Sequence, residues 1–159
     1  MLDAAQAVRH FEDAGFTHAV WIPDSYFGHW ESALASSAKL RLIRPCREGE
    51  AIAIAGGLML GGAKPLVIIQ CTGLFEAGDA LRNIVHDLKL PLKLIVGIRS
   101  YTAHLAGKTA DNCPTFTEPL LRAWHMPFSL LAGTTDASFA TRIRDLIDNA
   151  GPYALLLGE

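Results

Sequence analysis

The side chain best placed for chemistry is Glu48, which heads a segment of helical spacing, Cys46-Arg-Glu-Gly-Glu-Ala-Ile-Ala-Ile-Ala-Gly-Gly57. Ala51, Ala55 and Gly62 follow it in steps of three, four and seven residues, so all share one face. That face is almost bare, so another backbone or a flat ring can approach it. A carboxyl group at the edge of such a dry surface has its proton affinity raised, as acid–base work at neutral pH requires. The same pattern has a purely structural reading, in which Glu48 and Glu50 complement the helix dipole for about 0.3–1 kcal/mol.

The segment Ile22-Pro-Asp-Ser-Tyr-Phe-Gly28 places Asp24 and Ser25 in a loop. Alone, these residues read equally well as a turn and a helix cap. Arg99 and His104 lie in a long polar stretch, 99–114, where either meets an anionic ligand or simply faces water. Nothing reads as a metal cluster, P-loop or dinucleotide fingerprint, and the six histidines are dispersed.

The elements that position these residues emerge from hydrophobic periodicity. Helical spacing over Leu2, Ala5, Val8 and Phe11 stops at Gly15. Apolar runs at 18–22, 40–43, 65–70, 92–98, 128–131 and 153–157 read as strands, and stretches 29–38, 48–62, 76–88, 117–125 and 136–149 as helices. The strands are continuously apolar, as in a parallel sheet covered on both faces. The fold class is therefore α/β, a doubly wound, six-stranded, mostly parallel sheet in a single domain over 1–159. Ligands in such sheets bind beyond the carboxyl ends of the strands, which nominates loops 23–28, 44–50, 71–76 and 99–114.

Composition agrees with that class and excludes others. A chain of 159 residues, 50% hydrophobic and 19% charged, has a core without needing disulfides. A net charge of −2 gives no grip on nucleic acid or anionic lipid. The three cysteines, Cys46, Cys71 and Cys113, are far apart, which fits reduced thiols in a cytoplasmic protein. The N-terminus has no apolar signal core, and the longest uncharged apolar stretch, 51–63, falls short of the roughly 20 residues of a membrane span. The chain reads as soluble.

Taken together, the segments resemble the pyrimidine-binding domain of thiamine-diphosphate-dependent 2-oxo acid decarboxylases, above all the sulfopyruvate and phosphonopyruvate decarboxylases. Gly15-Phe-Thr-His-Ala-Val-Trp-Ile-Pro-Asp-Ser25 is similar to that group's strand ending in V-P-D-S, and Glu48-x-x-Ala51 with Ala55 and Gly57 to the pattern around its activating glutamate. Lys64-Pro-Leu-Val-Ile-Ile-Gln-Cys-Thr-Gly-Leu74 resembles its strand ending in Q-N-S-G-L. Leu90-Pro-Leu-Lys-Leu-Ile-Val-Gly-Ile-Arg99 and Leu120-Leu-Arg-Ala-Trp-His-Met-Pro-Phe128 match later elements in place and spacing.

The resemblance implies that Glu48 hydrogen-bonds N1′ of the cofactor's aminopyrimidine and promotes its activation. Pro23, Cys71, Thr72 and Gly73 would line the cofactor, and Asp24, Ser25, Arg99 and His104 the substrate. Cys71-Thr72 stands where the family has Asn-Ser, and Phe75-Glu76 where it has Gly-Asn. The family holds diphosphate through Mg2+ with a G-D-G motif; Gly78-Asp79-Ala80 is not that motif. A separate diphosphate-binding, beta-type subunit carrying the metal is therefore expected, as is self-association through the open small-residue face of the 48–62 helix. Trp21, Tyr26, Phe27 and Trp30 are read as pocket, interface or core. The alternatives are a non-catalytic scaffolding or regulatory subunit, an aryl or alkyl 2-oxo acid decarboxylase or carboligase subunit, and an unrelated small-ligand binding module.

Overall fold

Continuous apolar runs separated by helices fold here into one sheet. The computed structural model describes residues 2–133 and 135–159. Its strands are β1 (His18–Trp21), β2 (Arg41–Ile43), β3 (Pro65–Gln70), β4 (Lys93–Ile98), β5 (Phe128–Ala132) and β6 (Tyr153–Gly158). They lie in the order β2-β1-β3-β4-β6-β5, and every neighbouring pair is parallel. Around them run α1 (Ala4–Asp13), α2 (Glu31–Ser36), α3 (Glu48–Leu60), α4 (Cys71–Glu76), α5 (Gly78–Arg82), α6 (Tyr101–Leu105), α7 (Cys113–Ala123) and α8 (Asp136–Asp148). No helix is long and apolar enough to cross a membrane among the described residues.

Alternate residues of each strand face opposite sides, so the sheet divides the core in two. Val20, Val67, Ile69, Leu94, Val96 and Leu156 pack under α3, α4, α5 and α7. Trp21, Leu66, Ile68, Ile95 and Leu155 pack on the other face with residues of α1, α2 and α8. Trp21, Phe27 and Trp30 belong to this second core, and Phe27 and Trp30 have ring centroids 4.7 Å apart. Tyr26 is half-buried beside them.

Several expected elements are shifted. The stretch 29–38 is a short 3-10 turn, Phe27–Trp30, running into α2. The 71–76 loop is instead the helix α4, which leaves β3 with no connecting residue. The 76–88 helix is divided into α5 and a wider turn, where the Leu88 N–H reaches back five residues to the Asn83 carbonyl. Within the 99–114 stretch, α6 forms after Ser100, whose φ is +59°. The helix expected at 117 starts earlier, at Cys113, with Pro114 in its first turn, where the missing N–H costs nothing.

Two glycines bring covering side chains down onto the carboxyl edge of the sheet. A Cβ on Gly97 of β4 would sit 2.8 Å from the Phe27 ring, and one on Gly158 of β6 would sit 2.9 Å from Cγ of Tyr101. Only bare backbone allows those rings to close over the ends of β4 and β6.

Candidate active site

The first turn of α3 has backbone N–H groups that need acceptors, and Arg47 ahead of it caps none of them with its side chain. Carboxylates supply one acceptor inside that turn and another just ahead of it. Glu50 accepts from the Cys46 N–H at 2.8 Å, and Glu76 of α4 accepts from the Gly49 N–H at 2.8 Å while pairing with Arg47 at 2.6 Å. The Gly49 bond, more than Arg47, holds the Glu76 carboxyl below its usual range. Glu48 is the third acid of this turn, and among the described residues its carboxylate accepts no hydrogen bond. Its half-buried side chain lies across Gly73 of α4. A Cβ on Gly73 would fall 2.6 Å from Glu48 Cδ and closer still to its Cγ and Oε1.

The bare face of α3 is turned differently from expectation. Ala51 and Ala55 are fully buried in this chain's own core, and Gly56 is packed against Ile84. The reason is tertiary: α3 lies on β3 and α5, and their side chains fill the space beside the small residues. The exposed stripe is Glu50, Ala53, Gly57 and Leu60, which is also poor in side chains but is not the predicted one.

Along the same edge, Asp24 closes the turn after β1. Its Oδ1 accepts from the Tyr26 and Phe27 N–H groups, both at 2.7 Å, while Oδ2 is buried without a partner. Burial raises its pKa, against the pull of those two N–H groups. Pro23 and Ser25 beside it are exposed. Arg99, at the end of β4, donates through Nε to Asp111 at 2.7 Å and through Nη2 to Cys113 Sγ at 3.6 Å. His104 is half-buried on α6. Thr72 is exposed and donates to Gln70 Oε1 at 3.3 Å, but Cys71 is wholly buried and its thiol is in the core. Burial, Asp111 and Cys71 push the Cys113 thiol up to about 11, which leaves it a poor nucleophile.

Asp111 is engaged on both oxygens, by Cys113 N–H at 3.0 Å and by Arg99. Its pKa is held well below the ordinary carboxylate range, chiefly by Cys113 N–H and then by Arg99. A lowered folded-state pKa contributes stability above the unfolded value and loses it as pH falls. Urea unfolding midpoints should therefore decline between about pH 5 and about pH 2, and Asp111→Asn should flatten part of that decline. An unchanged acid limb in the variant would show that the Arg99–Asp111–Cys113 tie contributes nothing.

Among the described residues, no group of three or more His, Cys, Asp or Glu is gathered to hold a metal. A cleft of about 270 Å³ lies at the opposite, amino edge of the sheet, between Phe16, Met59 and Lys93. No carboxylate, thiol or hydroxyl side chain lines it, and Lys93 Nζ there donates to the Asn149 and Gly151 carbonyls at 2.6 and 2.7 Å.

No family model matches the chain. Phosphonopyruvate decarboxylase of Streptomyces viridochromogenes is 29% identical over the full chain, which covers 41% of that protein. The alpha subunit of sulfopyruvate decarboxylase from Methanococcus maripaludis is 25% identical over 80% of the chain and 76% of its own length. The chain is homologous to these decarboxylases. It spans about two fifths of the phosphonopyruvate decarboxylases it matches.

Solved structures carry the same fold. The thiamine diphosphate-dependent 4-hydroxybenzoylformate decarboxylase of Rhodococcus jostii superposes with a TM-score of 0.69 at 19% identity, over 98% of this chain and 29% of that one. The 2-oxoglutarate:ferredoxin oxidoreductase of Magnetococcus marinus does so at 0.68 and 14%, over 98% and 28%. The residues at the α3–α4 junction fit the pyrimidine of such a cofactor. Glu48 offers an unengaged carboxylate, Gly73 a backbone with no side chain in the way, and Thr72 an exposed hydroxyl. Sequence reasoning missed Glu76, whose partners Arg47 and Gly49 only the fold brings near, and Asp111, whose bond from the Cys113 N–H two residues on is the one local sign of its role at the start of α7.

Proposed function

We propose that this chain, as a single pyrimidine-binding domain over residues 1–159, is the alpha-type component of a heteromeric thiamine-diphosphate-dependent 2-oxo acid decarboxylase. One observation carries the reading: of three carboxylates around the start of α3, two are tied to backbone N–H groups and Glu48 alone is not. A carboxylate held over bare backbone with no donor of its own is suited to taking and returning a proton at N1′ of the aminopyrimidine. Glu50 and Glu76 hold the turn that presents it. The bound cofactor would supply the electron sink for loss of carbon dioxide.

Pro23, Thr72 and Gly73 would flank the cofactor, with Cys71 contributing from beneath. Asp24, Ser25, Arg99 and His104 would face the substrate. Sulfopyruvate- or phosphonopyruvate-like acids come first, from the homology, and Arg99 is the cation to meet their second anionic group. Diphosphate and Mg2+ would be held by a beta-type partner subunit, in keeping with the homologous alpha subunit of sulfopyruvate decarboxylase. The three free thiols suit a reducing cytoplasm.

The test is calorimetry with thiamine diphosphate and Mg2+ on this chain, on a diphosphate-binding partner, and on the two together. Tight binding is expected of the pair alone, with carbon dioxide released from sulfopyruvate or phosphonopyruvate. Tight binding by the lone chain, or a pair that binds nothing, overturns the proposal.

A further inference from the structure

We propose that the cleft at the amino edge of the sheet is a binding site for a small apolar monocarboxylate, with Lys93 as the group that takes its charge. The walls come from segments that enter or leave the sheet there. Phe16 stands ahead of β1, Met59 is near the end of α3, Pro65 begins β3, Pro91 precedes β4, and Ile147 lies in the last turn of α8. Lys93 opens β4 among these apolar side chains and is half-buried.

The Lys93 ammonium is fixed in place but not neutralised. Nζ donates to the Asn149 and Gly151 carbonyls, and the Asn149 side-chain oxygen accepts the Gly151 N–H at 3.0 Å, which sets the turn carrying both acceptors. Both partners are uncharged. A lysine has three N–H groups, so one is left for a ligand. Lys64 is the other charged side chain of the lining, and neither lysine forms an ion pair among the described residues. Burial lowers the Lys93 pKa, with no neighbouring charge to offset it. A half-buried cation without a counter-ion favours an arriving anion.

The walls select which anion. Phosphate or sulfate needs donors on several oxygens, and the apolar lining supplies none. A carboxylate on a hydrocarbon body sets one oxygen on Nζ and lays its apolar part against Phe16, Met59 and Ile147. The volume of about 270 Å³ is below the roughly 300–1,000 Å³ of drug-sized sites, so that body is small, a single ring or a short branched chain. Lys64, exposed beside the cleft, adds positive potential that draws the anion in. The site is at the other edge of the sheet from Glu48 and does not depend on the decarboxylase reading.

Benzoate titrated into the full chain, with 13C labels on methionine methyls and lysine Cε, tests this by NMR. The Met59 and Lys93 signals should shift along one saturable curve. Saturation should raise the Lys93 midpoint, because a bound anion favours the ammonium form. Benzamide, the same shape without the charge, should bind roughly 10-fold more weakly or worse, and inorganic phosphate should leave Met59 unmoved. Lys93→Met should weaken benzoate by roughly 10–100-fold, the loss of one charge-assisted hydrogen bond, and Lys64→Met by no more than about 5-fold. No saturable shift, benzamide equal to benzoate, competition by phosphate, or a greater loss from Lys64→Met overturns the proposal. So does a Lys93 midpoint unmoved at saturation, which the unmodified chain reports even if Lys93→Met fails to fold.

Discussion

Glu48→Gln should leave the chain folded and able to assemble, and should cut turnover of the assembled enzyme by roughly 10²–10⁴, the range for losing an acid–base group. The structural half of this expectation follows from the hydrogen bonds. Neither Glu48 oxygen accepts from a described residue, so an amide of the same shape removes no internal bond. Its effect on stability should stay within about 0.5 kcal/mol. The chemical half follows from the loss of a site that can carry a proton and release it. Glu50→Gln makes the control, because Glu50 is occupied at the Cys46 N–H and is exposed. It should perturb the helix start slightly and leave turnover nearly intact. Steady-state decarboxylation with the partner subunit, alongside gel filtration, separates the outcomes. If Glu48→Gln keeps most of its turnover, or if Glu50→Gln does the greater damage, the assignment of the acid is wrong.

Much of the architecture was legible because the strands of this sheet need no periodicity to be seen. β3 runs from Pro65 to Gln70, as its uninterrupted apolar run between a proline and a polar residue suggests, and β4 lies within a residue of expectation. Glu48 was legible as the head of a helix, and its preference over Glu50 now has a hydrogen-bonding reason. The orientation of α3 was not. Ile52, Ile54, Leu58, Met59 and Leu60 spread apolar residues around its whole circumference, so spacing alone does not decide which stripe turns inward. The neighbours decide it, through Ile84 against Gly56 and the strands beneath Ala51 and Ala55. α4 was read as a loop because six residues leave no room for a helical period to repeat. Glu76 works through Arg47 and Gly49, 29 and 27 residues away, and Asp111 adds to its local bond from the Cys113 N–H a pairing with Arg99 that no local pattern marks.

Gly73→Ala poses the sharpest question about the site, because two effects of opposite sign meet there. Gly73 is inside α4, where alanine is intrinsically better than glycine by about 0.8–1 kcal/mol. The new methyl group would, however, occupy the space of the Glu48 carboxyl and Cγ, and overpacking costs about 1–3 kcal/mol. The net expectation is a loss of about 1 kcal/mol in unfolding free energy, with Glu48 swung off its seat. Displacing a catalytic group by an ångström costs on the order of 10² in rate, so turnover should fall by about that factor. Repeating the change in a Glu48→Ala background isolates the cause. With no carboxyl to displace, Gly73→Ala should become stabilising by up to about 1 kcal/mol, a coupling of about 2 kcal/mol between the sites. The double variant should then turn over no more slowly than Glu48→Ala itself. A Gly73→Ala cost that is equal in both backgrounds would mean the glycine serves the helix or the core instead of the acid, and the cradle under Glu48 would lose its role.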